Sequence, residues 1–260
     1  MSIFTTAATK EHLAIKVIGT VARKFIKTPN VAYNYPALIR LAFNDAMTYN
    51  PENGKGGTVF GLSFRDQKLK SYNKPYLNIV ENLIWDKENN SDARMDVLSK
   101  SDYLQANAII AIRDTCGPNL CEEHKIGRED ATSQEELEGV SEVPQPEDGV
   151  TSFRDAFHSK SFDARKLVAL ASVYNYGEFS YSTHHKFDNS YFKHLVDPNS
   201  VKINALDKIL TEDPELYEFV ELFATENPEF HEAFSDAWLK LYTLGNDDKK
   251  LTLEVPDIDY

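Results

Sequence analysis

Apolar residues recur every three or four positions along most of this chain, and this helical period limits the accessible folds more than any other feature. In one segment, for example, Leu167, Leu170, Ala171 and Tyr174 fall on a single helix face. The pattern predicts helices over residues 10–27, 35–49, 75–86, 101–114, 151–158, 163–176, 204–210, 214–225 and 228–244. Residues 251–255 are expected to form a short strand or a tail. The sequence therefore predicts a mainly α-helical protein.

The chain is long enough to bury a large core. Its 260 residues, of which 42% are hydrophobic, suit one large domain or two lobes around one centre. Residues 122–149 are polar and acidic and show no clear period, which indicates a long surface excursion. No segment rich in Gly or Ser divides the chain into separate domains.

The charge balance excludes several classes of partner. The formal net charge is −13, and Lys and Arg are not clustered, so we expect no binding to nucleic acid or to anionic membrane surfaces. No apolar run approaches the roughly 20 residues of a membrane span. Residues 1–10 lack the features of a secretory signal. We expect a soluble intracellular protein, cytoplasmic or, if a transit peptide has been removed, organellar.

The two cysteines, Cys116 and Cys121, lie close together in the sequence. They can be unpaired structural thiols, or they can close a local disulfide. With His124 they would supply three ligands, whereas a structural zinc site needs about four. We therefore predict no metal site here.

An ordered series of motifs carries more specific information. The series comprises Arg40, Phe43 and Asn44 in one helix, then Gly56-Gly57-Thr58, Asn73, residues 101–105, Gly127-Arg128, residues 167–177, residues 187–192, Asn204 to Lys208, and residues 237–241. It resembles the class I haem peroxidases, the group of ascorbate peroxidase and cytochrome c peroxidase, over residues 10–245. The resemblance implies a single domain, 1–260, with two helical lobes around a central haem pocket. We expect the distal lobe at about residues 1–150, the proximal lobe at about 151–245, and a tail at 246–260.

The resemblance also assigns the pocket residues, and two of them are unsuited to peroxidase chemistry. Arg40 stands for the distal cation and Phe43 for the distal aromatic residue, while Asn73 matches the asparagine that orients a distal histidine. The histidine position itself holds Asn44, and a carboxamide cannot relay a proton near neutral pH. General base catalysis is worth about 10²–10⁴-fold, so its loss is severe.

The proximal iron ligand is likewise replaced, by Tyr174, with Asp207 at the position of its partner. Tyrosinate can ligate haem iron, and a neighbouring carboxylate would favour the neutral phenol. The alternative is a packed tyrosine that donates a hydrogen bond to Asp207. His184 and His185 are either a substitute iron ligand or a solvated loop pair.

The residues that the resemblance would supply for ascorbate are largely missing. Ala32 stands at a lysine position, and a shortened loop after Tyr174 removes an arginine. Of the family's cation site Asp188 remains, while Asn175 replaces a threonine.

Three functions follow from these residues. The first is a pseudo-peroxidase without haem that has a structural, interaction or regulatory role, with the acidic residues 122–147 as a docking surface for an unknown protein partner. The second is a remodelled pocket that binds or transforms a small anionic molecule through Arg40, with Asn44, Asn73 and Tyr174 as polar contacts and with Tyr174, hydrogen-bonded to Asp207, as an acid or base. The third is an atypical peroxidase with haem b ligated by Tyr174 or by a nearby histidine. We expect no cofactor, and no residue is assigned a catalytic role beyond the candidates Arg40, Asn44, Tyr174 and Asp207.

Overall fold

The computed structural model describes residues 35–89, 95–96, 98–121, 123–176, 186–201, 204–247 and 250–252. The predicted helix at residues 10–27, together with Ala32, His184 and His185, lies outside the described residues.

Within these ranges the secondary structure consists of helices and turns. The α-helices are α1 (Tyr35–Met47), α2 (Arg65–Lys68), α3 (Leu77–Asn89), α4 (Lys100–Asp114), α5 (Val150–His158), α6 (Ala164–Asn175), α7 (Ser190–Val196), α8 (Ala205–Glu212), α9 (Pro214–Thr225) and α10 (Asn227–Leu241). In this part of the chain extended pairing is limited to two isolated bridges, Asn50 with Lys55 and Ile126 with Thr252. The prediction of a mainly α fold is confirmed.

Local side chains explain where several helices begin. Ser99 accepts a hydrogen bond from the backbone N–H of Asp102, and Asp163 accepts one from Lys166, so α4 and α6 each have an N-cap. Asp213 caps α9, whose first residue is Pro214. The excursion that follows α4 is mostly irregular, with 3₁₀ turns at Glu135–Leu137 and Pro146–Asp148.

The core is built around α1, α4, α6 and α10. Every residue at positions 37–47 of α1 and at positions 101–112 of α4 is buried, and these helices pack against each other. Helix α6 packs against α1 and α10. This arrangement places the middle of α1 opposite the end of α6. The lobe boundary near residue 150 stays a prediction.

The loop after α1 is fixed to the end of the chain's last described helix. The N–H of Thr58 donates to the carbonyl of Leu244 at 2.9 Å, and its hydroxyl donates to the carbonyl of Tyr242 at 3.0 Å. Gly57 has φ 90°, and a Cβ atom there would lie 2.2 Å from the carbonyl oxygen of Leu244. Glycine is therefore required at this contact.

A lipid bilayer could not be crossed by any helix that the structure describes, because none is both long and apolar enough.

Candidate functional site around Arg40 and Tyr174

Helix α1 carries three of the predicted pocket residues on one face. Arg40, Phe43 and Asn44 are separated by three and four positions, so they point in the same direction. Arg40 is 8% exposed, and Phe43 and Asn44 are completely buried. The structure therefore brings these residues together inside the protein, as expected.

Asn44 is bonded to the asparagine that was predicted to lie beside it. Its Nδ2 donates to Oδ1 of Asn73 at 2.9 Å and to the carbonyl of Tyr72 at 3.2 Å. Asn73 in turn donates to the carbonyl of Gln67 at 2.9 Å. A chain of carboxamides thus lies where the resemblance places an asparagine and an imidazole. Oδ1 of Asn44 is buried and has no hydrogen-bond donor.

Tyr174, at the end of α6, lies directly against Arg40. The Cζ atom of Arg40 is 3.6 Å from the centroid of the Tyr174 ring, which is a cation–π contact. Phe43 and Phe153 meet the same ring edge-on, with centroid separations of 5.4 and 5.7 Å. The phenol hydroxyl donates to the carbonyl of Pro144. The side chain of Tyr174 is therefore fixed by contacts on its ring and by a hydrogen bond from its hydroxyl.

The predicted hydrogen bond between Tyr174 and Asp207 is wrong. The hydroxyl of Tyr174 instead donates a hydrogen bond to the carbonyl of Pro144, and its ring stacks on Arg40. Asp207 is fully buried and accepts instead from the hydroxyl of Tyr191 at 2.9 Å and from Nδ2 of Asn175 at 3.4 Å. Asp207 therefore belongs to a separate polar group, together with Asn175 and Tyr191.

The contact between Arg40 and Tyr174 bears on whether this pocket fits a porphyrin. In the resemblance these two positions face opposite sides of the haem plane. Carbon atoms touch at about 3.5–4 Å, so a flat group between two side chains needs roughly 7–8 Å. The observed separation is 3.6 Å. In this arrangement the two side chains do not fit a porphyrin between them, and neither position offers a neutral imidazole to hold its iron.

The electrostatics of the pair are those of a buried cation beside a neutral phenol. Burial lowers the pKa of the Arg40 guanidinium, although the nearby Tyr174, Tyr76 and Glu147 oppose this effect. Burial also raises the pKa of the Tyr174 phenol well above its ordinary value, against the opposing effect of Arg40. Nη1 of Arg40 has no hydrogen-bond acceptor, and no carboxylate among the described residues forms an ion pair with this guanidinium.

Sequence reasoning missed the contribution of the excursion to this site. Val143 and Pro144 are buried, and the carbonyl of Pro144 accepts the Tyr174 hydroxyl. One sequence feature could have indicated this contact. Val143, Pro144 and Pro146 interrupt a stretch that is otherwise acidic. The remaining predicted cation-site residue, Asp188, accepts from the backbone N–H of Ser190 at 2.9 Å.

The cysteines do not contribute to this site. Both are described by the structure, and no disulfide joins them. The sulfur of Cys121 accepts from Nη1 of Arg113 at 3.4 Å, and His124 is buried against the ring of Tyr242. Across the described residues there is no group of three or more His, Cys, Asp or Glu side chains that could hold a metal ion. The expectation that the protein has no metal site stays a prediction.

Comparison with known proteins identifies the family of this chain. A family model described as peroxidase matches residues 17–178. The chain is 30% identical over 232 residues to cytosolic L-ascorbate peroxidase 2 of Arabidopsis thaliana, covering 83% of this chain and 86% of the relative. It is 28% identical to peroxisomal L-ascorbate peroxidase 5 of the same plant, covering 86% of this chain and 79% of the relative. It is 26% identical to a putative mitochondrial cytochrome c peroxidase of Yarrowia lipolytica (strain CLIB 122 / E 150), covering 81% of each chain. The chain therefore belongs to the peroxidase family, and within it to the class I haem peroxidases that include the ascorbate and cytochrome c peroxidases.

Proposed function

We propose that this protein is a haem-free member of the family that does not catalyse hydrogen-peroxide-dependent oxidation, and that it has a structural, interaction or regulatory role. One observation carries the proposal. Arg40 and Tyr174, at positions that flank the cofactor in the family, touch each other at 3.6 Å. The aromatic ring of Tyr174 takes up space that the haem-binding relatives need for their cofactor.

The distal side supports the proposal independently. Peroxide cleavage needs a group that takes a proton from one oxygen and returns it to the other. Asn44 cannot gain or lose a proton near neutral pH, and its Nδ2 is already bonded to Asn73 and to the carbonyl of Tyr72. Arg40 remains as the charge-stabilising group, but without a proton relay it does not sustain turnover.

The proximal side supports it as well. A tyrosine binds iron as the phenolate, and burial raises the pKa of Tyr174, which favours the neutral phenol. The hydroxyl also donates its proton to the carbonyl of Pro144, a contact that only the neutral phenol makes. The atypical Tyr-ligated haem peroxidase therefore has no observation in its favour.

We place the protein inside the cell, in the cytoplasm or in an organelle. The relatives carry the names cytosolic, peroxisomal and mitochondrial, which supports this placement. An interaction role would use the exposed acidic side chains of the excursion, which include Glu129, Glu138 and Glu142. A partner with a basic surface would complement them.

The proposal is tested by peroxide consumption in the presence of added haem. The wild-type protein is expected to consume peroxide at the rate of an equal concentration of free haem, with ascorbate or with a phenolic dye as reductant. The variant Asn44→His/Tyr174→His restores both imidazoles. A rate of peroxide consumption above that of free haem in this variant would show that the wild type lacks turnover because these two imidazoles are missing. Wild-type turnover well above free haem, lost in Tyr174→Phe, would overturn the proposal.

A second candidate function is the binding of a small anionic molecule in the remodelled pocket. A specific observation favours it, because Nη1 of the buried Arg40 has no acceptor. This function is compatible with the proposed absence of peroxidase turnover.

A further inference from the structure

Helix α3 presents a solvent-exposed side that carries a tryptophan. The helix packs against α4, and its residues Ile79, Val80 and Leu83 are buried. Trp85 lies on the opposite side of the helix and is 65% exposed. Water therefore covers most of a large apolar side chain, and a partner that covered it instead would gain apolar contact area.

Two glutamates flank this tryptophan on the helix surface. Glu81 precedes it by four positions and Glu88 follows it by three, so both side chains are its neighbours. Both glutamates are exposed. Three exposed asparagines extend the same side of the helix, Asn78, Asn82 and Asn89. We call these six residues the α3 face.

The α3 face carries negative charge that is open to a partner. Glu88 forms an ion pair with Lys100 at 2.8 Å, and its side chain is 52% exposed. Glu81 forms no ion pair with any residue that the structure describes. A carboxylate without a cation thus lies one helical turn from an exposed indole ring.

We propose that the α3 face binds an arginine in a basic segment of a partner protein. The guanidinium stacks on the ring of Trp85 and donates hydrogen bonds to the carboxylate of Glu81. Tryptophan makes the strongest cation–π contacts, and a planar guanidinium stacks on a ring while its N–H groups remain free to bond to a carboxylate. The proposal rests on the interaction role proposed above, and it gives that role a surface and a partner chemistry.

The charge of the protein favours a basic protein segment over a lipid surface. Tryptophan is enriched where proteins meet membranes as well as at the centre of protein–protein interfaces. Anionic headgroups would be repelled by Glu81 and Glu88 and by the net charge of −13. The same charge attracts a basic partner at long range.

Fluorescence tests whether the α3 face is open and whether a basic peptide covers it. The chain contains two tryptophans, and the second, Trp238, is completely buried. The emission that is lost in Trp85→Phe therefore belongs to Trp85. Acrylamide is expected to quench this emission in the free protein, and a saturating blocked peptide of four Arg-Gly repeats is expected to protect it. Phosphatidylcholine vesicles are expected to give no protection.

Calorimetric titration at low ionic strength tests the preference for arginine, because salt screens contacts between exposed charges. The Arg-Gly peptide is expected to bind about two- to fivefold more tightly than the matching Lys-Gly peptide. Trp85→Ala is expected to weaken binding of the Arg-Gly peptide by about fivefold or more and to remove this preference. Trp85 is mostly exposed, so this variant is expected to fold, which circular dichroism verifies.

A matched pair of charge variants assigns the binding to the α3 face. Glu81→Gln is expected to weaken binding of the Arg-Gly peptide by about two- to fivefold. Glu218→Gln removes another exposed glutamate, on α9, and is expected to bind the peptide like the wild type. Both variants lower the net negative charge by one, so a difference between them reports the site of binding and not the overall charge.

Several outcomes would overturn the proposal. These are Trp85 emission that acrylamide does not reach in the free protein, protection by vesicles, unchanged peptide binding in Trp85→Ala, or equal effects of Glu81→Gln and Glu218→Gln. Haem uptake and peroxide turnover are measured on the same preparations. Their appearance would overturn the proposed function, whereas the outcomes above would overturn the binding role of the α3 face alone.

Discussion

Arg40 and Tyr174 come from opposite sides of the pocket and stack directly, with the guanidinium carbon 3.6 Å from the ring centroid. The pair joins α1 to α6 at the place where the resemblance puts a haem. Two neighbouring phenylalanines enclose the same ring. Arg40 is thus covered by the side chain at the position that the resemblance gives to the proximal ligand.

The stability of this closed pocket depends on the ring of Tyr174 more than on its hydroxyl. Tyr174→Phe keeps the stack on Arg40 and loses the bond to the Pro144 carbonyl, so we expect a loss of about 1 kcal/mol. Tyr174→Leu also loses the cation–π and edge-on contacts, and we expect a loss of about 2–4 kcal/mol. Urea denaturation measures both values, with Tyr217→Phe on α9 as a control for a half-buried tyrosine. Equal losses for the Phe and Leu variants would contradict the stacking.

Asp207 is coupled to Tyr191 and not to Tyr174. A double-mutant cycle with Asp207→Ala and Tyr191→Phe is expected to give a coupling energy of about 1–3 kcal/mol, since the two side chains share a hydrogen bond of 2.9 Å. The same cycle with Tyr174→Phe is expected to give a value within about 0.5 kcal/mol of zero, because no bond joins these residues. The free energies come from denaturant unfolding. A large coupling between Tyr174 and Asp207 would restore the arrangement expected from the family.

His124 is expected to make the protein sensitive to acid. Burial lowers its pKa well below the ordinary 6.5, and Arg128 adds to the effect. Below about pH 6.5 the unfolded chain therefore binds a proton that the native protein does not, and stability falls as the pH falls. Relative to His124→Leu, the free energy of unfolding of the wild type should fall by up to about 1.4 kcal/mol for each pH unit below 6.5. Above pH 6.5 the difference between the two proteins should not change with pH.

This pH dependence is measured by denaturant unfolding of both proteins between pH 5 and 8. His158→Gln, at an exposed position, serves as the control and should follow the wild type. Parallel curves for the wild type and His124→Leu would show that His124 titrates as it does in the unfolded chain.

Gly57 is expected to tolerate no side chain. A Cβ atom at this position would lie 2.2 Å from the Leu244 carbonyl oxygen, and φ is 90°. We expect Gly57→Ala to lower the free energy of unfolding by about 3 kcal/mol or more. Gly54→Ala is the matched control, because its φ is 72° and a Cβ atom meets nothing within 4 Å. Gly54→Ala should lower the free energy of unfolding by about 1–2 kcal/mol, because it adds backbone strain without a steric clash. Similar losses of stability for the two variants would contradict the close contact between Gly57 and the Leu244 carbonyl.

The sequence predicted the helices better than the contacts that their side chains make around Arg40. Helical periodicity identifies the face of α6 that carries Tyr174, but it does not say which rotamer the side chain adopts. That choice decides between Asp207 on one side and Arg40 on the other, and it is set by tertiary packing. The hydrogen bond from Tyr174 to the carbonyl of Pro144 could not be predicted, because an irregular segment has no periodicity that indicates its path.

The most direct test of the account is a haem titration of the purified protein followed by its absorption spectrum. The account predicts no saturable one-to-one Soret band, and the same spectrum for the wild type and for Tyr174→Phe, because the ring that contacts Arg40 does not ligate iron. A tight stoichiometric band in the wild type, lost in Tyr174→Phe, would contradict it and would return this chain to the haem enzymes of its family.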